Sequence, residues 1–226
     1  MQLRPFGVLL LLGAIWCPSF LVIKLAVCEI RPASLVALRL VVAAVLLVAV
    51  LYSSHGRLPS TWRAWVDLAF VGLFGVVAPF VLVTWGAQHI PSGIAAILNS
   101  TVPLLTIPVT LLGTRDERLR GIQVLGILVG FGGVVTAVGV GDLASGSLAT
   151  WAYLAVLTAS LGYAIVNVFS RRAFRGMSPL VPAAGQMVCA ALMSVPLALV
   201  WDGVPAVMPS AQALSAVMGL AFLGTV

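Results

Sequence analysis

LAFVGLFGVVAPFVLVTWGAQHIPSGIAAILNSTVPLLTIPVTLLGT, residues 68–114, holds no Asp, Glu, Lys or Arg over 47 positions. A bilayer core about 30 Å thick takes an α-helix of roughly 20 residues, so the stretch fits two spans joined at His89-Ile90-Pro91-Ser92-Gly93. Pro91 and Ser92 suit the opening turn of the second helix, where backbone N–H groups lack intrahelical acceptors. Charge returns abruptly at Arg115. The stretch reads as a membrane hairpin.

The rest of the composition agrees. Of 226 residues 62% are hydrophobic and 8% charged, and the mean hydropathy is +1.17. In lipid each backbone polar group must be satisfied internally, which leaves a helical bundle or a closed barrel. Barrel strands alternate polar and apolar over about ten residues; the apolar runs here are twice as long and do not alternate. The expected fold class is therefore all-α, a polytopic membrane helical bundle. Cys17, Cys28 and Cys189 form no C-x-x-C pair and have no neighbouring His, so they are expected to be small buried hydrophobes.

Eight spans follow in order: Pro5 to Val27, Pro32 to Tyr52, Trp65 to Gln88, Pro91 to Leu112, Leu119 to Val140, Leu148 to Phe169, Pro179 to Trp201, and one beginning near Ala211. The first is longer than a signal-peptide core and no small-x-small cleavage site follows it. The eighth has about 16 residues, roughly 24 Å of helix at 1.5 Å per residue, which is short of a crossing. The expectation is a longer natural chain that completes this span and adds two more. With the amino terminus in the cytoplasm, cytoplasmic segments hold Arg4, Arg57, Arg63, Arg115, Arg118, Arg120, Arg171, Arg172 and Arg175, and external loops hold only Arg31. That bias sets the orientation and accounts for the basic pI near 10.1 without nucleic acid as a partner. Tryptophans 62, 65, 85, 151 and 201 fall toward span ends, at headgroup level. Gly126, Gly130, Gly133 and Ala137 make one smooth helix face, expected to be a close-approach surface for another helix. No Walker A motif occurs, and the Gly-rich residues 130–141 lack the strand–turn–helix setting of a nucleotide site.

An internal repeat runs through the chain. VGLFGVV (71–77) resembles LAFLGTV (220–226), and the same shift lays Gly13 on Gly162 and Phe20 on Phe169, while Arg39 falls on Gln186 at a shift two shorter. A unit of five spans is odd, so the second copy enters the membrane from the opposite side. The expected halves are inverted five-helix repeats, residues 1–141 and an incomplete 142–226.

These features resemble the ten-helix drug/metabolite transporter superfamily, specifically the EamA type. The resemblance is carried by Trp16-x-x-Ser19-Phe20-x-x-x-Lys24, by Leu38-Arg39, by TWGAQHIPSGIAAILNSTVPLLTIPVTLLG (84–113) and by LRGIQVLGILVGFGG (119–133). Two departures stand out: Cys17-Pro18 replaces the usual small residues after the tryptophan, and Thr114 stands where a Glu commonly follows the glycine. The resemblance implies an integral membrane secondary transporter of the bacterial inner membrane, exporting small metabolites or drug-like compounds by alternating access, with no cofactor or metal. A homodimer is compatible with it. A membrane-embedded enzyme or a non-transporting membrane subunit is the alternative; no nucleophile–base pair favours the enzyme.

Candidate site residues follow from the cost of polar groups in lipid. Asn99, Pro103, Thr106 and Thr110 share a face at i, i+4, i+7 and i+11, and Tyr163 and Asn167 make a similar pair; each set suits either helix–helix hydrogen bonding or a substrate path. Trp16 lies near the middle of its span, as packing or as a cavity wall. Arg39, about two turns inside span two, suits capping of carbonyls or an anionic solute. The substrate-binding set is thus Asn99, Thr106, Pro103, Trp16, Tyr163, Asn167 and Arg39, with catalytic and metal residues none. Pro103 is expected to free the carbonyl of Asn99, Lys24 to snorkel outward near Glu29, and His55 and His89 to be solvated. All six acidic residues lie at span ends or in loops, which disfavours a carboxylate proton relay.

Overall fold

The computed structural model describes residues 19–113, 121–139, 146–203 and 210–224. Trp16, Cys17, residues 114–120 and residues 140–145 lie outside them. Among the described residues the chain is helical: α1 (19–26), α2 (Pro32–Ser53), α3 (Trp62–Gly72), a π-helical turn (Leu73–Val77), α4 (Ala78–His89), α5 (Ser92–Asn99), α6 (Val102–Gly113), α7 (Gly121–Val138), α8 (Leu148–Ala173), α9 (Leu180–Trp201) and α10 (Ala211–Gly224). Among the described residues six stretches are long and apolar enough to cross a membrane: Pro32–Ser53, Trp62–His89, Ser92–Leu112, Gly121–Val138, Leu148–Ala173 and Leu180–Trp201.

Span limits read from the sequence that fall on described residues agree with these helices to within a few residues, with one longer exception, while Pro5, Leu119 and Val140 lie outside them. α8 runs through Arg171 and Arg172 instead of stopping before them; two cations in a last turn complement the helix dipole rather than end the helix. At α9 the chain leaves the helix through Gly203 at φ +77, a left-handed position that glycine occupies without strain.

α2 packs most extensively against α9, and α4 against α8; α3 also touches α9, and α10 touches α2. The helices approach closely because glycines stand at the crossings. A Cβ on Gly72 would lie 2.9 Å from the carbonyl oxygen of Gln186, and one on Gly162 would lie 2.9 Å from that of Phe74. Gly86 and Gly185 face Val156 and Leu68 in the same way. The face expected to play this part, on α7, does so at one position only: Gly130 meets Leu104, while Gly126 and Gly133 have nothing within 4 Å and Ala137 is exposed. α7 buries almost none of its surface among the described residues, touching α5 and, at Gly130, Leu104 of α6.

Ile23, Ala26 and Ile30 share one apolar cluster with Leu35, Val156 and the α10 residues Ala213, Val217 and Leu220. A second cluster joins α2 to α9 through Leu40, Leu47, Met187 and Ala190. Outward-facing Val45, Leu128, Leu192 and Val200 are exposed, as a lipid-facing surface requires. Trp62, Trp151 and Trp201 are exposed at helix ends. Cys189 is buried as expected, but Cys28 is exposed, because it sits in the α1–α2 turn instead of within a span.

Candidate functional site: a cavity within the bundle

Two interruptions in helical regularity face one cavity. In span three the π turn inserts one extra residue per turn, a device that recurs at functional sites. In span four the helix stops at Asn99 and restarts at Val102. The break is satisfied locally by hydroxyls: Ser100 Oγ donates to the Ile97 carbonyl at 2.6 Å, and Thr101 Oγ1 to that of Leu98 at 2.7 Å. Buried Ser160 of α8 adds a contact to the same Leu98 carbonyl at 3.3 Å.

This break corrects the continuous polar face expected for span four. Pro103 occupies the first turn of a new helix, where a missing N–H costs nothing, rather than interrupting an existing one. The i, i+4, i+7 register therefore does not carry across. Thr106 turns its hydroxyl back onto the Val102 carbonyl at 2.7 Å, and Thr110 onto that of Thr106 at 2.8 Å. Neither is on the cavity wall. Thr106→Val is accordingly expected to leave transport within about twofold of the parent, since it removes only a back-bond of the kind that slightly bends helices; a solute-efflux assay normalised to protein in the membrane checks this.

The cavity between these helices has a volume of about 1000 Å³. Asn99, Pro103, Tyr163, Asn167 and Arg39, five of the seven expected site residues, line it together. Trp16 lies outside the described residues. Arg39 is 6% exposed, and its guanidinium carbon stands 4.3 Å from the centre of the Phe80 ring, a cation–π arrangement. The Tyr163 ring meets Phe80 edge-on, ring centres 6.5 Å apart. Asn99 is half-buried, and its Oδ1 is fully buried with no hydrogen-bond partner among the described residues. Leaving such an acceptor unmatched costs roughly 1–3 kcal/mol.

Sequence reasoning passed over Ser19, Phe80, Thr84 and Gln186, all on the wall. For Gln186 a signal existed, since the expected repeat lays it on Arg39. Phe80 and Thr84 gave none, because a lone aromatic or threonine within an apolar span is ordinary packing. The only charged groups among the described wall residues are Arg39 and Arg171, with no carboxylate.

The cavity extends from Arg39 and Thr84 to Ser170, Arg171, Phe174 and Met177 at the α8–α9 turn. No described residue of the α1–α2 or α4–α5 turns lines it. At that opposite end, the one toward which Lys24 is expected to snorkel, its ammonium donates to the Ile90 carbonyl at 2.8 Å. Glu29 accepts from Ser210, whose hydroxyl and then N–H hold its carboxyl below the usual glutamate range. His89 is half-buried against Trp85, ring centres 4.7 Å apart, with Nδ1 3.0 Å from the Trp85 carbonyl, whereas His55 is exposed.

The sequence pattern of the EamA-like transporter family matches residues 5–139. The chain is 28% identical over its whole length to YedA, an uncharacterized inner membrane transporter of Escherichia coli (strain K12), of which it covers 72%. It is 23% identical to the uncharacterized transporter YoaV of Bacillus subtilis (strain 168), over 93% of this chain and 72% of that one. A solved crystal structure superposes with a TM-score of 0.63 at 24% identity, over 93% of this chain and 74% of the other, which shows a shared fold.

Proposed function

The chain belongs to the EamA-like transporter family, and from that premise we propose that it exports small metabolites or drug-like solutes across a bacterial inner membrane by alternating access. It is a multi-pass membrane transporter of small molecules rather than an enzyme. The observation that carries the finer reading is Asn99, a wall residue of a solute-sized cavity whose buried Oδ1 is unmatched among the described residues. A solute N–H or O–H that reaches this oxygen as the Asn99 side chain turns toward the cavity would satisfy it, and binding would offset the cost of the unmatched acceptor. Two arginines and no carboxylate on the described wall favour solutes bearing an anionic group over organic cations, which would meet like charge. Helices broken at mid-bundle are the places where secondary transporters commonly bind their solutes.

In this reading residues 1–141 and 142–226 are inverted repeats that rock about the cavity. The pairing of helices supports it: α2 packs on α9, its counterpart in the other half, and the α2–α10 contact is mirrored by α9–α3. Arg39 and Gln186, matched by the repeat, both reach the cavity.

The amino terminus is cytoplasmic in this proposal, so the cavity opens at the Arg-rich α8–α9 turn toward the cytoplasm, the state in which an exporter loads. Single cysteines at Glu117 and Asp142 test the orientation: an impermeant thiol reagent outside the cell is expected to label position 142 and spare 117. The reverse pattern overturns it. The transport reading is tested by comparing metabolites excreted by cells carrying the parent and the Asn99→Leu protein. A solute whose excretion depends on the parent alone supports it, and identical profiles refute it.

A further inference from the structure

At the end of the bundle away from the cavity mouth, two carboxylates are exchanged between the halves of the chain. Asp202, just after α9, accepts from the backbone N–H and the hydroxyl of Ser34 in the first turn of α2, at 2.6 and 2.8 Å. Glu29, just before α2, accepts from the N–H and the hydroxyl of Ser210, at 3.0 and 2.9 Å. Ser210 Oγ in turn accepts from the N–H of Ala213 at 3.1 Å and so opens α10. Arg31 adds a bond from Nη1 to the Asp202 carbonyl. None of these residues is on the cavity wall.

Helix caps normally come from the residue at the helix start and stabilise the helix wherever it sits. α2 has no such cap, since the Arg31 side chain makes none. Its first-turn donor and positive dipole end are served from 168 residues away, and Ser210 is served from 181 residues away. A cap lent by the other half stabilises only the arrangement in which the halves meet at this end. That is a difference between conformational states, which a shift in population requires.

We propose that this reciprocal capping, Asp202 on Ser34 and Glu29 on Ser210, is a latch that holds one end of the transport path shut while the cavity is open at the other. It rests on the alternating-access reading and releases each time the halves rock. The latch lies outside the cavity, so it governs which side is open and leaves the solute contacts alone.

A reporter that needs no solute tests it. Thr84 is on the cavity wall and 2% exposed, so a Thr84→Cys thiol senses opening from the latch side. Its labelling by an impermeant maleimide is measured in vesicles of both orientations, less the rate of the protein carrying only Cys17, Cys28 and Cys189. Asp202→Asn, Glu29→Gln or Ser34→Ala is expected to raise labelling from the latch side about threefold, and Asp202→Asn with Glu29→Gln about tenfold, as charge-assisted bonds that are exposed at Glu29 and half-buried at Asp202 allow. Labelling unchanged in every variant recovered at parental yield overturns the latch; should Asp202→Asn fold poorly, Ser34→Ala and Glu29→Gln decide. Transport that persists while labelling stays unchanged refutes the latch alone. Faster labelling in a protein that moves no solute supports the latch contact and refutes transport.

Discussion

Replacing Asn99 by leucine is expected to reduce transport to background while the amount of folded protein in the membrane stays level or rises slightly. The two halves of this outcome have one cause. Oδ1 of Asn99 is buried without a partner among the described residues, so the folded protein carries an unmatched acceptor costing roughly 1–3 kcal/mol. Leucine is close in size and removes that cost, which is why the fold gains or breaks even. The solute loses the one acceptor it would satisfy, and a group that must dock there meets hydrocarbon instead. Sites built to hydrogen-bond a polar group discriminate strongly once that bond is unavailable. The measurement is efflux per folded transporter, with folded transporter counted by detergent size-exclusion chromatography. A fall in folded protein with unchanged efflux per molecule would identify Asn99 as a helix-packing residue and end its role in solute binding.

The largest structural effect is expected at Gly72. A Cβ there would stand 2.9 Å from the Gln186 carbonyl oxygen and 3.2 Å from the Ala190 nitrogen, both backbone atoms of α9. Backbone cannot rotate aside as a flexible side chain can, so Gly72→Val must push α3 away from α9. Overpacking of this kind costs roughly 1–3 kcal/mol or more, a large part of the marginal stability of most proteins. Gly72→Val is therefore expected to lose most of its folded yield. Gly126→Ala and Gly133→Ala, where nothing lies within 4 Å, are expected to fold as the parent does or slightly better, because alanine favours helix. Thermal unfolding in detergent separates the cases: equal stability of Gly72→Val and the parent would mean that the α3–α9 crossing is looser than described here.

Hydropathy made the spans legible because lipid imposes a length and an apolar surface that no local detail can override. The turn at His89–Gly93, the spans on either side and the helical class all came from that single constraint. Asn99, Tyr163, Asn167 and Arg39 were legible for a related reason: polar groups in lipid are expensive enough to need a purpose. The sequence did not tell which purpose. Thr106 and Thr110 looked equivalent to Asn99 by spacing, but a threonine hydroxyl can return its hydrogen to its own helix. An asparagine carbonyl can only accept, and in this packing it has found no donor among the described residues.

The sequence by itself determined a many-spanned helical membrane protein, its Arg-rich face, and the pool of polar side chains from which a site could be drawn. Tertiary structure decided the break after Asn99, the gathering of five expected residues around one cavity, the glycines at helix crossings, and the exchange of Glu29 and Asp202 between halves. The division has a physical reason. Partition into lipid acts on each segment separately and so can be read along the chain. Close approach and hydrogen bonding act between segments far apart in sequence, as Asp202 and Ser34 do across 168 positions, and only the packed bundle brings such partners within reach.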